Sequence, residues 1–390
     1  MRILIVHNRY KELGGEDAVV KSESEMLQTA GHSVRVISKS NDIIVGNQTK
    51  IKVFLSSNFN KTSADWIKKE IKSFDPDIVH IHNFWPVLSP SIHFASSNSR
   101  AAVVQTLHNF RLICSGAQLM RNGKICEKCI ERSNIWGILH KCYRNSFIGS
   151  LAVFRMQNSA RRIGMLDNHV QKFIALTSFA KKKFIEGGID KDQISIKPNS
   201  IPIPQLISSP SNRDGLLYVG RLSEEKGLDT LIKAAQMTPN LSLKIIGDGP
   251  LRNSLERSAS KNVKFLGFLD KHDIQHHMLS SRALVMPSRW YEGFPITLLE
   301  AFGCELPVIA SKIGSLEELV EDGVTGFHFP PNNFLSLAKI FKMIDQNPEK
   351  LAKLGGQAKE NAISLYDQKS NIISLEKIYN EAIKSKSSNI

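Results

Sequence analysis

The chain has 390 residues, 42% apolar and 23% charged, the proportions of an ordinary globular protein long enough for two cores. No apolar run approaches the roughly 18 residues that cross a bilayer. Met1-Arg2 leads into only four apolar residues before His7, so no signal peptide is expected, and the chain is expected in the cytoplasm with its five cysteines reduced unless a metal holds them. The net charge of +14 sits in the first half: residues 1–200 carry 29 Lys/Arg against 16 Asp/Glu, and residues 201–390 carry 22 against 21. Residues 100–165 alone hold 11 basic and 2 acidic side chains, a local excess that favours an anionic partner.

In chain order, Ile3 to Val6 reads as a short buried strand. A loop with Gly14-Gly15 follows, then a helix from Glu16 with apolar Val19, Met26, Leu27 and Ala30 that Gly31 caps, and a strand Val34 to Ile37. That is a βαβ unit. Strands at 78–82 and 102–106 run into His82 and His108, which places both histidines at carboxyl strand ends, the ligand side of an open α/β sheet. Residues 110–165 read as an insertion. Asn122-Gly123 signals a tight hairpin, and residues 135–164 read as helical, with aromatic and aliphatic positions mixed among basic ones. Trp136, Ile138, Leu139, Phe147, Ile148 and Phe154 beside the positive excess suit anionic headgroups and a lipid-linked acceptor.

Four of the five cysteines, Cys114, Cys126, Cys129 and Cys142, fall within 29 residues in the order C-x11-C-x2-C-x12-C. The central pair can chelate from one turn and the outer two can close a tetrahedron around one structural zinc. The competing reading is a set of free buried thiols, because the spacing is not a standard zinc-finger arrangement.

Regular alternation resumes with a strand at 173–176, a helix at 178–186 and a strand at 194–196. Residues 197–215, rich in Pro, Ser and Asn, read as an interdomain linker. The second half restarts the same architecture: a strand from Leu216 ends in Gly220-Arg221, and a loop carrying Lys226-Gly227 enters a helix from Leu228. Strands ending in glycine turns follow at 245–250 and 263–268. The stretch SRWYEGFPITLLEAFGCELPVIA, from Ser288 to Ala310, then reads as strand end, tight loop, helix and second strand. A helix that starts just past a parallel strand points free N–H groups into the crevice, where a phosphate would go. The last helix is read from about Asn371, with an apolar stripe of Ile372, Leu375, Ile378, Tyr379 and Ala382.

Glu292 and Glu300, spaced E-x7-E within EGFPITLLEA and followed by PVIAS and Gly314-Ser315-Leu316-Glu317-Glu318, strongly resemble the donor-site signature of GT-B glycosyltransferases of the retaining family 4 type. Gly220-Arg221 through Lys226-Gly227, Thr106-Leu107-His108-Asn109, Gly14-Gly15 and Pro198-Asn199-Ser200 extend the resemblance over most of the chain. It implies two Rossmann-like domains facing across a donor/acceptor cleft. On this reading residues 1–200 form the acceptor domain with the insertion at 110–165, residues 201–370 form the nucleotide-sugar domain, and 371–390 is a helix that crosses back. It also implies roles. Arg221 and Lys226 would bind the donor diphosphate, with Gly15 approaching it. The backbone of Gly293, Phe294, Pro295 and Ile296 would neutralise the leaving group, Glu300 would accept the ribose hydroxyls, and Glu292 and His108 would lie at the donor sugar. His82 is left as an acceptor contact.

The implied reaction moves a sugar from a nucleotide-diphosphate sugar to a glycan or lipid-linked acceptor with retention, in cell-surface polysaccharide assembly. It would require no cofactor beyond the sugar nucleotide as co-substrate. The enzyme would work in the cytoplasm or peripherally at the inner membrane face, without nucleic acid. Rival readings are a glycoside hydrolase using the paired carboxylates, a GT-B epimerase or phosphorylase, and a zinc-containing basic nucleic-acid binder. One position departs from the pattern: the family usually has glycine two residues before the Pro of PVIA, and this chain has Glu305, which would be strained if the position requires φ > 0.

Overall fold

The computed structural model describes residues 1–11, 14–202 and 213–388, and the backbone alone at Pro348. Most of the linker expected at 197–215 lies outside the described residues. The chain divides into two compact units. One comprises Met1–Leu119, Cys126–Asn199 and Gln368–Ile390; the other comprises Met120–Ile125 and Ser200–Asp367. The segment expected as one insertion is therefore split, because its hairpin groups with the second unit.

The strands in chain order are β1 (Arg2–Arg9), β2 (Ser33–Ser40), β3 (Ile78–Asn83), β4 (Ala102–Leu107), β5 (Met120–Arg121), β6 (Lys124–Ile125), β7 (Lys172–Ala175) and β8 (Ile194–Ile196), then β9 (Leu216–Val219), β10 (Leu243–Ile246), β11 (Val263–Gly267), β12 (Ala283–Met286), β13 (Val308–Ser311) and β14 (Gly326–Phe329). The first sheet runs β2-β1-β3-β4-β7-β8 and the second β11-β10-β9-β12-β13-β14, each six-stranded with parallel pairing throughout. Parallel sheets are covered on both faces, which explains the unbroken apolar runs in place of alternation: every residue of β4, β12 and β13 is buried. β5 and β6 form the antiparallel ribbon, with Asn122 and Gly123 both at positive φ, as a two-residue turn of that twist demands.

The helix expected over 135–164 is broken. Helices span Ile135–Leu139 and Phe147–Arg162, and between them Lys141, Arg144 and Asn145 take positive φ. Ser146 restarts the helix as its cap, its hydroxyl accepting from the Gly149 N–H at 3.0 Å. Apolar periodicity showed the two helices but not the turn between them. Glu305 does occupy a left-handed position, φ 54°, where glycine is the unstrained residue.

The C-terminal helix Gln368–Ser388 seats Leu375, Ile378, Tyr379 and Ala382 in the first unit's core with Ile3, Ile5, Leu27, Ile78 and Val104. Its polar anchors converge on one carboxylate. Glu23 is 4% exposed; its Oε2 lies 3.0 Å from the Lys197 ammonium, and its Oε1 lies 3.1 Å from His80 and 3.2 Å from His82. From the helix, Asn371 accepts from Lys197 at 2.9 Å, and the Tyr379 hydroxyl meets His80 Nδ1 at 2.8 Å. Burial pushes the Glu23 carboxyl up, but Lys197, His80 and His82 outweigh it and hold the group well below the usual carboxylate range.

Removing one partner of such a pair strands the other as an uncompensated buried charge. Glu23→Gln should therefore lower the unfolding free energy by roughly 3–5 kcal/mol, with Glu23→Gln plus Lys197→Met recovering part of the loss. Urea unfolding at neutral pH measures both; an unchanged midpoint in the single variant would contradict this account.

Candidate active site

In the second sheet the chain order 3-2-1-4-5-6 reverses direction between β9 and β12, and open α/β sheets bind ligands beyond the carboxyl ends of the strands at such a crossover. The loops that leave these two strands are the ones the sequence singled out. They touch closely: a Cβ on Gly227 would fall 2.0 Å from the Pro287 carbonyl oxygen, and one on Gly247 would fall 2.0 Å from that of Gly220. Only glycine allows these approaches.

Across this junction Lys226 Nζ bonds Glu292 Oε1 at 2.8 Å, and the Ser288 hydroxyl donates to the same oxygen at 2.5 Å. Glu292 is buried, and the Lys226 ammonium stands 5.3 Å from the Trp290 ring centre. Arg221, by contrast, is exposed, and among the described residues its guanidinium has no ion-pair partner. Phe294 is buried edge-on to Tyr366, with ring centres 5.6 Å apart, which fixes the loop entering the helix Ile296–Gly303 behind Pro295. The first N–H groups of that helix lack intrahelical acceptors. Glu300 lies on it half-buried; burial raises its carboxyl, against the pull of Lys271.

The first unit builds a second polar centre. His108, just past β4, meets His82 on β3, Nε2 to Nδ1 at 2.9 Å, and His82 Nε2 faces the Glu23 carboxylate at 3.2 Å. Burial and the charge of His80 push His82 down to about 4, and burial together with His82 holds His108 well below the ordinary histidine range. Both are neutral at pH 7. His82, expected as an acceptor contact, is buried and lines a cavity together with His108, Trp85 and Asn109.

Sequence reading passed over Glu16. Its Oε1 accepts from Asn109 Nδ2 at 2.9 Å and from the Tyr10 hydroxyl at 3.4 Å, and its Oε2 is buried without a hydrogen-bond partner. Burial pushes this carboxyl up to about 7 against the pull of Asn109, Tyr10 and Arg111. The available signal was its place directly after Gly14-Gly15, beside the residue that follows His108. Gly15 itself opens the helix Gly15–Thr29, and a Cβ there would meet nothing within 4 Å.

Cys114 is buried and Cys126, Cys129 and Cys142 are half-buried. Among the described residues, two groups of three ligand-type side chains gather within 4.8 Å, neither of them containing a cysteine: Glu23 with His80 and His82, and the exposed Asp270, His272 and Asp273. In the first, the Lys197 ammonium already supplies the positive charge.

Two family models tile the chain: Glycosyltransferase Family 4 over residues 13–203 and Glycosyl transferases group 1 over residues 203–361. The chain is a glycosyltransferase of the GT-B fold. A Klebsiella pneumoniae relative, an uncharacterized 41.2 kDa protein in the cps region, is 23% identical over 361 residues, 88% of this glycosyltransferase and 89% of the relative. Sucrose-phosphate synthase from Thermosynechococcus elongatus superposes with TM-score 0.72 at 17% identity, covering 98% of this chain and 99% of that one. HepE from Anabaena, in complex with UDP-glucose, superposes with TM-score 0.67 at 20% identity, covering 97% and 100%. At such identities the structural likeness shows the fold.

Glu16 gives the glycosyltransferase a pH signature. Between its ordinary value of 4.5 and about 7 the folded chain keeps a proton that the unfolded chain has released, so stability falls as pH rises through this window. Glu16→Gln removes that fall. The variant should gain up to about 3 kcal/mol relative to the parent between pH 5 and pH 8. Paired denaturant titrations at both pH values test it, and parallel losses in the two proteins would refute the assignment.

Proposed function

We propose that the enzyme transfers a glycosyl group from a nucleotide-diphosphate sugar to a glycan or lipid-linked acceptor, with retention of configuration, in the assembly of a cell-surface polysaccharide. The observation that carries this reading is the pairing at the β9/β12 crossover of an unpartnered guanidinium, Arg221, with an ammonium held in place by a buried carboxylate, Lys226 on Glu292. Arg221 matches diphosphate oxygens as a planar fork and Lys226 as a point charge. The bound UDP-glucose of HepE and the cps-region setting of the Klebsiella relative support a sugar-nucleotide donor and a surface glycan.

In the reaction the sugar C1–oxygen bond to phosphate breaks and its electron pair leaves with the diphosphate. Arg221, Lys226 and the N–H groups opening the helix at Ile296 take up that charge as preorganised electrostatics. The acceptor oxygen attacks C1 on the same face and its proton passes to the departing phosphate oxygen, so no protein nucleophile is needed. Glu300 accepts the ribose hydroxyls, and Glu292, while steering Lys226, borders the sugar. On the same reading Gly15 is assigned to the donor diphosphate and His108 to the donor sugar.

Arg221→Ala and Lys226→Ala should each lower kcat/KM for the donor at least tenfold, as expected when a charge-assisted contact of roughly 1.5–3 kcal/mol is lost. Glu300→Gln should act mainly on donor KM and Glu292→Gln mainly on kcat. Acceptor-dependent release of nucleoside diphosphate from a panel of sugar nucleotides is the assay. Donor hydrolysis indifferent to acceptor, or a double cation variant with parental kinetics, would overturn the reading.

An anionic membrane surface fits the first unit. Ile135, Leu139, Phe147 and Ile148 are 46–63% exposed beside exposed Arg132, Lys141 and Arg144. The neighbouring helix Gly46–Leu55 buries none of its residues and exposes Ile51 and Leu55 with Lys50 and Lys52. The two surfaces are tied where Arg155 stacks 5.2 Å from the Phe54 ring centre. Among the described residues no helix is long and apolar enough to cross a membrane. Such a face holds an acceptor lipid at the surface through cations worth about 1 kcal/mol each. Binding to vesicles containing phosphatidylglycerol should weaken with salt and with Phe147→Asp plus Ile148→Asp; equal binding to neutral vesicles would count against the surface.

A further inference from the structure

The segment around Cys114 is built at a cost that a free thiol does not explain. Ala117 and Leu119 both adopt left-handed backbone, φ 64° and 49°, although neither is glycine. Non-glycine residues held there cost of order 1 kcal/mol or more each. These residues turn the chain back on Cys114: the Ala117 N–H donates to the Cys114 carbonyl at 3.0 Å and the Phe110 N–H to the Ala117 carbonyl at 3.2 Å.

Three of the cysteines meet this turn: a Cβ on Gly116 would lie 3.9 Å from both Cys114 Sγ and Cys142 Cβ, and one on Gly137 would lie 3.8 Å from Cys129 Sγ and 2.1 Å from Ser115 Oγ. Backbone bonds hold the remaining ligand segments, Cys126 N–H to Leu119 at 2.8 Å and Cys142 N–H to Gly137 at 2.9 Å. The surrounding elements are one-turn helices, Lys128–Glu131 and Ile135–Leu139, of which the first buries no residue.

We propose that Cys114, Cys126, Cys129 and Cys142 bind one structural Zn2+ as a tetrathiolate. Soft sulfur ligands in a set of four select this ion and its tetrahedral geometry. Four thiolates around one divalent cation leave a charge of −2, which suits a segment with 11 basic and 2 acidic residues over 100–165. The site closes a segment whose helix Lys128–Glu131 buries no residue of its own. The inference does not depend on the donor reading, since zinc content is measured without any transfer reaction.

The full chain, purified without chelator, should contain close to one zinc per molecule by elemental analysis, with four sulfur neighbours at about 2.3 Å in X-ray absorption. Four thiols should resist alkylation until a mercurial releases the metal, in step with zinc detected by a chromogenic chelator. Cys126→Ser with Cys129→Ser should lose the metal, and Cys304→Ser should keep it. Should the double variant fail to fold, the parent's zinc content and thiol protection still decide. Metal-free parent protein of unchanged thermal stability on zinc addition, or intramolecular disulfides among the four, would overturn the proposal.

Discussion

A single buried carboxylate sets much of the first unit. Glu23, on the helix after the glycine loop, must be charged to hold Lys197, and it must hold Lys197 because an unpaired ammonium at that depth would cost several kcal/mol. The same ammonium bonds Asn371 on the C-terminal helix, so a segment remote in sequence is locked into the first sheet's core by charge and by the Tyr379 hydroxyl on His80 as well as by its apolar stripe. The other carboxylate oxygen lies against His80 and His82, and His82 in turn meets His108 at 2.9 Å. The C-terminal helix and the strand-end histidines thus pack around one charge.

The second unit uses the reverse arrangement. There the buried carboxylate, Glu292, is paired with a cation that remains 22% exposed, while Arg221 a few residues away is left open. An ion pair with one solvent-facing member is cheaper to rearrange than one buried at both ends. Lys226 can share its charge with an incoming anion without abandoning Glu292, whereas Lys197 has no approach from solvent. The two pairs look alike in sequence, and only burial separates a structural charge from one available to a ligand.

This difference explains what the sequence made legible. Parallel α/β alternation was readable because strands buried on both faces leave uninterrupted apolar runs, as in 102–107 and 308–311, bounded by glycine turns. The loops that gather at the β9/β12 crossover were readable for the same reason: Gly227 and Gly247 mark close backbone approaches. Partnerships were not. Nothing in the spacing of Glu23, His82 and His108 announces a relay, since their neighbours lie 26 to 174 positions away. Glu16 looked like a helix-start acid and proved to be a buried carboxyl coupled to Asn109. The break between Leu139 and Phe147 was hidden because apolar periodicity continues across it, while the turn is made by Lys141, Arg144 and Asn145 in left-handed backbone.

Glu305 shows how a departure from a sequence pattern is accommodated. The left-handed turn it occupies ends the helix that carries Glu300 and starts β13, so its geometry fixes where that helix lies. Glycine would adopt it freely; glutamate pays about 1 kcal/mol. The side chain offsets this by meeting Lys359 at 3.0 Å, and the space beneath is kept open by Gly355, where a Cβ would fall 2.2 Å from the Glu305 carbonyl oxygen. Arg213 braces the same turn from the other side, donating to the Cys304 carbonyl at 2.6 Å and to those of Met278 and Ser281 at 3.0 and 2.8 Å. With two cations on either side of it, the turn is held by charge where the family pattern holds it by backbone freedom, and the helix bearing Glu300 keeps its place at the crossover.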